Sequence, residues 1–326
     1  MRNISKIMSK ISFLALIFSF SSCTNLSSQN SKGIESSSTN SSSSSFFYKH
    51  VIVVGVDGMG NYCSKTSCPF LEKTMESGSY TFTGISESPT ISAQNWGSML
   101  MGVSPTIHKL TNGIIETAEI SSDIQYPSIF TYIRKQIPSA RLACFCGYNA
   151  IYNGIVDHGQ QVINYTGQDN QICEKAQYYI LENEPTFMFI QFESVDASGH
   201  GSGYGSADYL SQISTVDSYI SKIYDACVKE RIIDSTLFMV VSDHGGINKT
   251  HGGDSTQEKE VFFGAVGETV TKNTIVSNYR NRDVAANVLY ALNIESPKFS
   301  KDGFSSQVLP ELFSNQIVEP YKNIDD

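Results

Sequence analysis

Positive charge is scarce in this chain. Its 326 residues carry 23 Lys and Arg against 32 Asp and Glu, a formal net charge of −9. Three of the cations, Arg2, Lys6 and Lys10, precede residue 23, and removing them leaves −12. A surface this acidic disfavours non-specific binding to nucleic acid, so none is expected as a partner. Long apolar runs are lacking too. The first, over residues 11–20, has about ten residues against the ~20 needed to cross a bilayer, and no second run approaches that length. No internal repeat is visible. The six histidines are few enough that their placement is informative.

The amino terminus reads as an export signal: basic residues, the apolar stretch 11–20, then small residues before Cys23. Phe20-Ser-Ser-Cys23 resembles the lipobox after which bacterial lipoproteins are cleaved and acylated. Cys23 is therefore the expected lipid anchor, on a membrane lipoprotein facing the periplasm or the cell surface, with a soluble secreted protein as the alternative. From Ser27 to Ser45, eleven of nineteen residues are serine, too polar to bury a core and suited to a flexible stalk. The expected organisation is a signal over 1–22, a tether over 23–45 and a hydrolase domain over 46–326. The sequence leaves the oligomeric state open. Six further cysteines, at 63, 68, 144, 146, 173 and 227, are an even number that permits disulfides outside the cytoplasm. Cys63 and Cys68 are spaced to close a small loop. Cys144 and Cys146 share one face of a predicted strand and make poor partners for each other. Cys227 follows Ile213, Val216, Ile220 and Ile223 at helical spacing and belongs to a core.

Apolar runs near 51–56, 141–146, 186–192, 236–241 and 260–266 predict strands. Helical patterns near 67–77, 92–101, 126–136, 171–183, 206–229 and 281–291 alternate with them. This alternation predicts an α/β fold, a mostly parallel central sheet sandwiched between helices. The segment 148–167 has no clear period and is expected to form part of a small substrate-facing cap, with His158 in a structural role.

The chemistry is expected where strands end. The run 236–241 leads into Ser242-Asp243-His244-Gly245-Gly246, followed by His251-Gly252. The run 186–192 leads to Asp196 and His200, four residues apart, in a glycine-rich loop. A third run, 50–56, delivers Asp57-Gly58. Parallel strands of α/β proteins present ligands at their carboxyl ends, so three strands bring carboxylates and imidazoles to one rim. That donor set suits a borderline divalent cation such as zinc. A fourth segment, 87–102, leads from a hydroxyl-rich turn into a helix that begins near Ser92. A hydroxyl there is either an N-cap or a nucleophile beside a helix terminus that favours an anionic phosphoryl group.

Together these segments resemble the alkaline phosphatase superfamily, and within it the nucleotide pyrophosphatase/phosphodiesterase-like branch, over residues 50 to about 295. The resemblance implies two divalent ions, zinc or alternatively manganese. One would be held by Asp196, His200 and His251, the other by Asp57, Asp243, His244 and the Ser92 oxygen. It also implies a two-step displacement through a phosphoseryl intermediate. The branch commonly has threonine as nucleophile, so Thr90 is a rival, but the register of Asn95, Gly102 and Pro105 favours Ser92. Asn112 matches the asparagine that holds a phosphoryl oxygen after a one-residue deletion, and Asn95 competes for that role. His108 is left out of the site. The Cys-x-Pro-x-Arg segment of sulfatases is missing, which argues against sulfate esters. After the leader, the arginine nearest Ser92 in sequence is Arg134, which tilts the expectation from monoesters toward diesters. The expected substrate is a small phosphate ester, nucleotide-like or a lipid headgroup. A phosphomonoesterase or phosphonate hydrolase on the same site is the alternative, and a binding lipoprotein without turnover is less favoured.

Overall fold

Runs of β-branched and aromatic residues supply the centre of one eight-stranded sheet in the computed structural model, which describes residues 47–117, 126–295 and 305–314. The expected leader and tether, residues 1–45, lie outside the described residues. The strands are β1 (His50–Val56), β2 (Ser79–Ile85), β3 (Leu142–Cys146), β4 (Ile163–Thr166), β5 (Phe187–Phe192), β6 (Thr236–Ser242), β7 (Glu260–Val266) and β8 (Thr274–Ile275). The helices are α1 (Pro69–Ser77), α2 (Ser92–Met101), α3 (Pro105–His108), α4 (Asn112–Thr117), α5 (Ile129–Gln136), α6 (Ala150–Ile155), α7 (Asp169–Asn183), α8 (Ser194–Ser202), α9 (Ala207–Lys229), α10 (Thr256–Lys259) and α11 (Asp283–Ala291).

The strand order is β4-β3-β5-β1-β6-β7-β2-β8. From β4 to β6 all pairings are parallel, whereas β7 runs antiparallel to both β6 and β2. Every residue of β1, β5 and β6 is buried, because helices cover both faces of a parallel sheet. Strand alternation assigns the faces. Val51, Val53, Phe187, Phe189, Leu237, Met239 and Val241 join Trp96 and residues of α5, α6 and α11 in one core. Ile52, Val54, Met188, Ile190, Phe238 and Val240 pack with residues of α7 and α9 in the other. This is the expected sandwich, a mostly parallel sheet between two layers of helices. Among the described residues, no helix is long and apolar enough to cross a membrane.

Three details differ from the sequence reading. The segment 148–167 is not a separate cap. Its first part is α6, whose Ile151 and Ile155 lie in the core with Val156 and Val162, and its last part is β4, an edge strand paired with β3. Strand β2 has no counterpart among the expected strands. It buries small polar residues, Ser79 and Thr81, and leaves Tyr80 and Phe82 partly exposed, so its alternation is inverted relative to hydropathy. Cys63 and Cys68 do not close a loop, and all six described cysteines are buried free thiols. Burial pushes the Cys68 thiol up to about 12, with Asp217 adding to the effect. Cys144 and Cys146 do share a face, with their sulfurs in a 3.5 Å thiol–thiol hydrogen bond and no disulfide between them.

Candidate active site

Strand register explains how two carboxylates far apart in sequence meet. The last β1 residue, Val56, pairs with Phe192 of β5 and with Ser242 of β6. The next residues along the adjacent strands β1 and β6 are Asp57 and Asp243, so the two acids stand side by side just beyond the sheet, on the face that carries Trp96. Gly58 has φ +65°, and a Cβ there would lie 2.3 Å from Asp196 Oδ1. Only glycine lets the turn after β1 come this close to the segment after β5.

Asp57, Asp243 and His244 form one group of ligand atoms within 4.8 Å of one another, and Asp196, His200 and His251 form a second. These are the two sets expected from the sequence. The first is fully buried; in the second His200 is exposed. The rings of His244 and His251 stack at 3.8 Å between centroids and connect the two groups.

Hydrogen bonding on the outer side of each ligand decides what its inner side offers. His244 Nδ1 lies 2.9 Å from Gly245 O, His200 Nδ1 2.9 Å from Lys249 O and His251 Nδ1 2.8 Å from Thr90 O. A carbonyl only accepts, so each Nδ1 carries a proton, and in the neutral ring each Nε2 presents a lone pair inward. Asp57 Oδ2 accepts from Trp96 Nε1 at 3.0 Å and Gln191 Nε2 at 2.9 Å. Asp243 Oδ1 accepts from the Gly58 and His244 amides at 2.9 and 2.8 Å. The other oxygens, Asp57 Oδ1 and Asp243 Oδ2, are buried without a hydrogen-bond partner and lie 3.6 and 3.2 Å from His244 Nε2. In the outer group His200 Nε2 is 3.2 Å from Asp196 Oδ2 and 3.2 Å from His251 Nε2.

Acceptors facing acceptors at these distances repel one another, and buried charge without compensation is strongly disfavoured. A divalent cation in each group removes both problems, so the residues present fit a pair of metal ions. Burial, then the carboxylates of Asp243 and Asp196, push Asp57 well above the usual carboxylate range, and burial does the same to Asp243. Burial, then His244, lowers His251 to about 4. It stays neutral near pH 7, the form that ligates.

Ser92 is the first residue of α2 and its Oγ lies 3.2 Å from His244 Nε2. Thr90, the rival hydroxyl, is turned away. Its Oγ1 donates to Gly253 O and accepts from Gly252 N, both at 2.9 Å, which fastens the His251 loop. Asn95 is fully buried and fully used: Oδ1 accepts from Glu87 N and Asn281 Nδ2, while Nδ2 donates to carbonyls of the 87–91 turn. Its expected substrate contact is corrected to a scaffold role, because no lone pair or proton is left to offer. Asn112 accepts from Ala93 N through Oδ1 at 3.0 Å, beside Ser92 and only partly buried. His108 contacts Ser98 Oγ and Gln94 O, away from both groups.

Trp96, Gln191 and Tyr204 were not singled out by sequence reasoning. Gln191 had a signal, as the one polar residue in the buried strand Phe187–Phe192. Gly55 was a weaker one. A Cβ there would lie 2.5 Å from the Trp96 ring, so this glycine makes room for the indole that holds Asp57.

The model of the type I phosphodiesterase / nucleotide pyrophosphatase family matches residues 134–285. Asp196, His200, Asp243, His244 and His251 lie inside the matched span, and Asp57 and Ser92 precede it. The match spans less than half of the chain. Among solved structures, murine ectonucleotide pyrophosphatase / phosphodiesterase 5, as an inactive variant in complex with AMP, superposes with a TM-score of 0.61 at 14% identity, covering 77% of this chain and 97% of that one. A 2-O GAG sulfatase superposes with a TM-score of 0.68 at 12% identity, covering 84% and 76%. At these identities the likeness is one of fold. Among curated proteins, GPI ethanolamine phosphate transferase 2 of Aspergillus fumigatus is 23% identical over 222 residues, 65% of this chain. The protein of the same name from Aspergillus oryzae is 28% identical over 99 residues, 30% of this chain. The matched parts of this chain span 29% and 12% of the lengths of these two relatives.

Proposed function

We propose that this chain is a two-metal phosphodiesterase that works through a phosphoseryl intermediate on Ser92. The observation that carries the reading is the position of Ser92 Oγ, 3.2 Å from His244 Nε2, at the amino terminus of α2 and against a ring of inward lone pairs. Asp57, Asp243, His244 and the Ser92 oxygen would hold one ion, and Asp196, His200 and His251 the other. Zinc or manganese suits these donors. When bound, the two ions supply the charge that eases deprotonation of the serine and stabilises the apical oxygens of an in-line transfer. Ser92 Oγ forms the new bond to phosphorus as the ester bond to the departing alcohol breaks. Water then attacks the phosphoserine from the opposite side, releasing the phosphate product and restoring the hydroxyl. Asn112, its Oδ1 occupied by Ala93 N, has Nδ2 left to donate to a phosphoryl oxygen, and the positive end of the α2 dipole favours the same anion.

Diester preference is supported by where the cations are spent. Arg282 follows Asn281, whose amide donates to Asp243 O, but its guanidinium is committed to Glu87 in a bidentate pair at 2.6 Å and to Ser305. Arg134 is used on the carbonyls of Gln160 and Pro138. A monoester brings additional negative charge that neither arginine is placed to meet. Substrates with a nucleotide-like or lipid-headgroup alcohol fit this reading, given one structural neighbour bound to AMP and relatives named for ethanolamine phosphate transfer. Those relatives also favour a second reading, transfer to an acceptor hydroxyl instead of water. With added zinc or manganese, the full chain is expected to show a higher kcat/KM on bis-p-nitrophenyl phosphate than on p-nitrophenyl phosphate. The reverse preference would make the protein a phosphomonoesterase.

The reaction is proposed to occur outside the cytoplasm, on a protein anchored through Cys23. The support is the order of basic, apolar and small residues before that cysteine, followed by the serine-rich stretch. Radiolabelled palmitate is expected to enter the wild-type protein in bacterial cells and not a Cys23→Ser variant. Equal labelling of both would rule out this anchor.

A further inference from the structure

On the two-metal reading above, we infer that Tyr204 is a positioning residue for the outer ligand group, turning the Asp196 carboxylate so that it shares one ion with His200 and His251. Tyr204 is nearly buried, and its hydroxyl donates to Asp196 Oδ1, which leaves Oδ2 facing His200 Nε2 at 3.2 Å. The same ring contacts both imidazoles of the group, edge-on to His200 at 5.8 Å and to His251 at 6.3 Å between centroids. One side chain therefore touches all three ligands.

The ring is held in a slot cut for it. A Cβ on Gly199 would come within 2.6 Å of Tyr204 Cε1, and one on Gly246 within 2.5 Å. Tyr209 packs against the ring at 5.3 Å between centroids. The Tyr204 amide donates to Asn248 O at 2.7 Å. That backbone bond ties the Tyr204 loop to the turn whose Lys249 carbonyl orients His200. Each inner carboxylate has one oxygen fixed by two N–H donors. Asp196 is less buried than either, and Tyr204 supplies the corresponding donor from outside the ligand set. Partners of this kind fix ligand orientation, and their removal weakens metal affinity by about 10–100-fold.

The test is zinc titration of the metal-free full chain in competition with a chromophoric chelator. Wild type is expected to bind two ions. Tyr204→Phe, which keeps the ring in its slot, should weaken one of the two by about 10–100-fold and leave the other unchanged, with the same circular dichroism. His200→Ala identifies the affinity that belongs to the outer group. In an Asp196→Asn background, Tyr204→Phe should cause no further loss, because its effect passes through that carboxylate; this comparison also separates lost positioning from a general loss of folding. Two ions bound by Tyr204→Phe with wild-type affinities would overturn the role of Tyr204 alone. Fewer than two ions on wild type would overturn the two-metal reading and this inference with it.

Discussion

Replacing Ser92 with alanine is expected to lower kcat/KM on bis-p-nitrophenyl phosphate by on the order of 10⁴-fold or more, with little change in stability. The size follows from losing the atom that would bond to phosphorus. The small structural effect follows from the surroundings. Ser92 begins α2 without capping it through its side chain, and the hydroxyl's contact is with His244 Nε2, a lone pair that the neighbouring carboxylates already face. The informative control is Thr90→Ala. Thr90 Oγ1 bridges the Gly252 amide and the Gly253 carbonyl, so its loss should loosen the His251 loop and destabilise by about 1–3 kcal/mol, while turnover falls far less than in the serine variant. Full activity in Ser92→Ala, with loss in Thr90→Ala, would transfer the nucleophile to Thr90. Residual activity in Ser92→Thr would agree with a hydroxyl at this position being what matters.

Chelation of metal is expected to destabilise the protein, and more so as pH rises. In the metal-free form burial holds the folded-state pKa of both Asp57 and Asp243 above the ordinary carboxylate value. A carboxyl with a raised folded pKa favours folding fully below its unfolded value, ~3.9, and that contribution is lost as pH rises through the folded value. These two carboxyls therefore make the metal-free protein lose stability toward pH 8. His251, lowered to about 4, contributes in the opposite sense up to its unfolded value, ~6.5. The net loss is expected where the two carboxyls outweigh the one imidazole, and above that value. Bound cations reverse the sign of the local field, so the loaded protein should not follow this trend. An ion present at about 100 times its Kd adds ~2.7 kcal/mol per site, enough for a shift of several degrees in Tm. Thermal unfolding with and without chelator at pH 5 and pH 8 measures both effects. A gap between loaded and stripped protein that is the same at both pH values would contradict the account.

How far the sequence could be read depended on whether a residue's environment follows from its own segment. β1, β5 and β6 are buried on both faces, and a continuous apolar run announces that directly. β2 pairs with β7 and buries Ser79 and Thr81, so its pattern runs against hydropathy and was missed. Residues 148–167 lacked a period because a six-residue helix and a four-residue edge strand divide them. The two acid and imidazole groups were legible because these residue types directly after apolar strands stand out from a buried surrounding. Asn95 misled for the opposite reason. Its helix position matched a family pattern, while its partners, Glu87 and Asn281, come from the turn before α2 and from the approach to α11.

Residue types and spacing were enough to identify the α/β class and to single out the six carboxylates and imidazoles that gather in two groups, because these follow strand ends; the preference for Ser92 came from the family resemblance. Long-range packing decided the rest. Ser92 meets His244 across 152 positions and Thr90 meets Gly253 across 163, contacts that separate the hydroxyl facing the ligand groups from the one that fastens a loop. The inward lone pairs, the indole on Asp57 and the tyrosine on Asp196 depend on which side chains the sheet and its loops bring together. Hydrogen-bond partners are chosen by distance in space, and no periodicity along the chain encodes that distance.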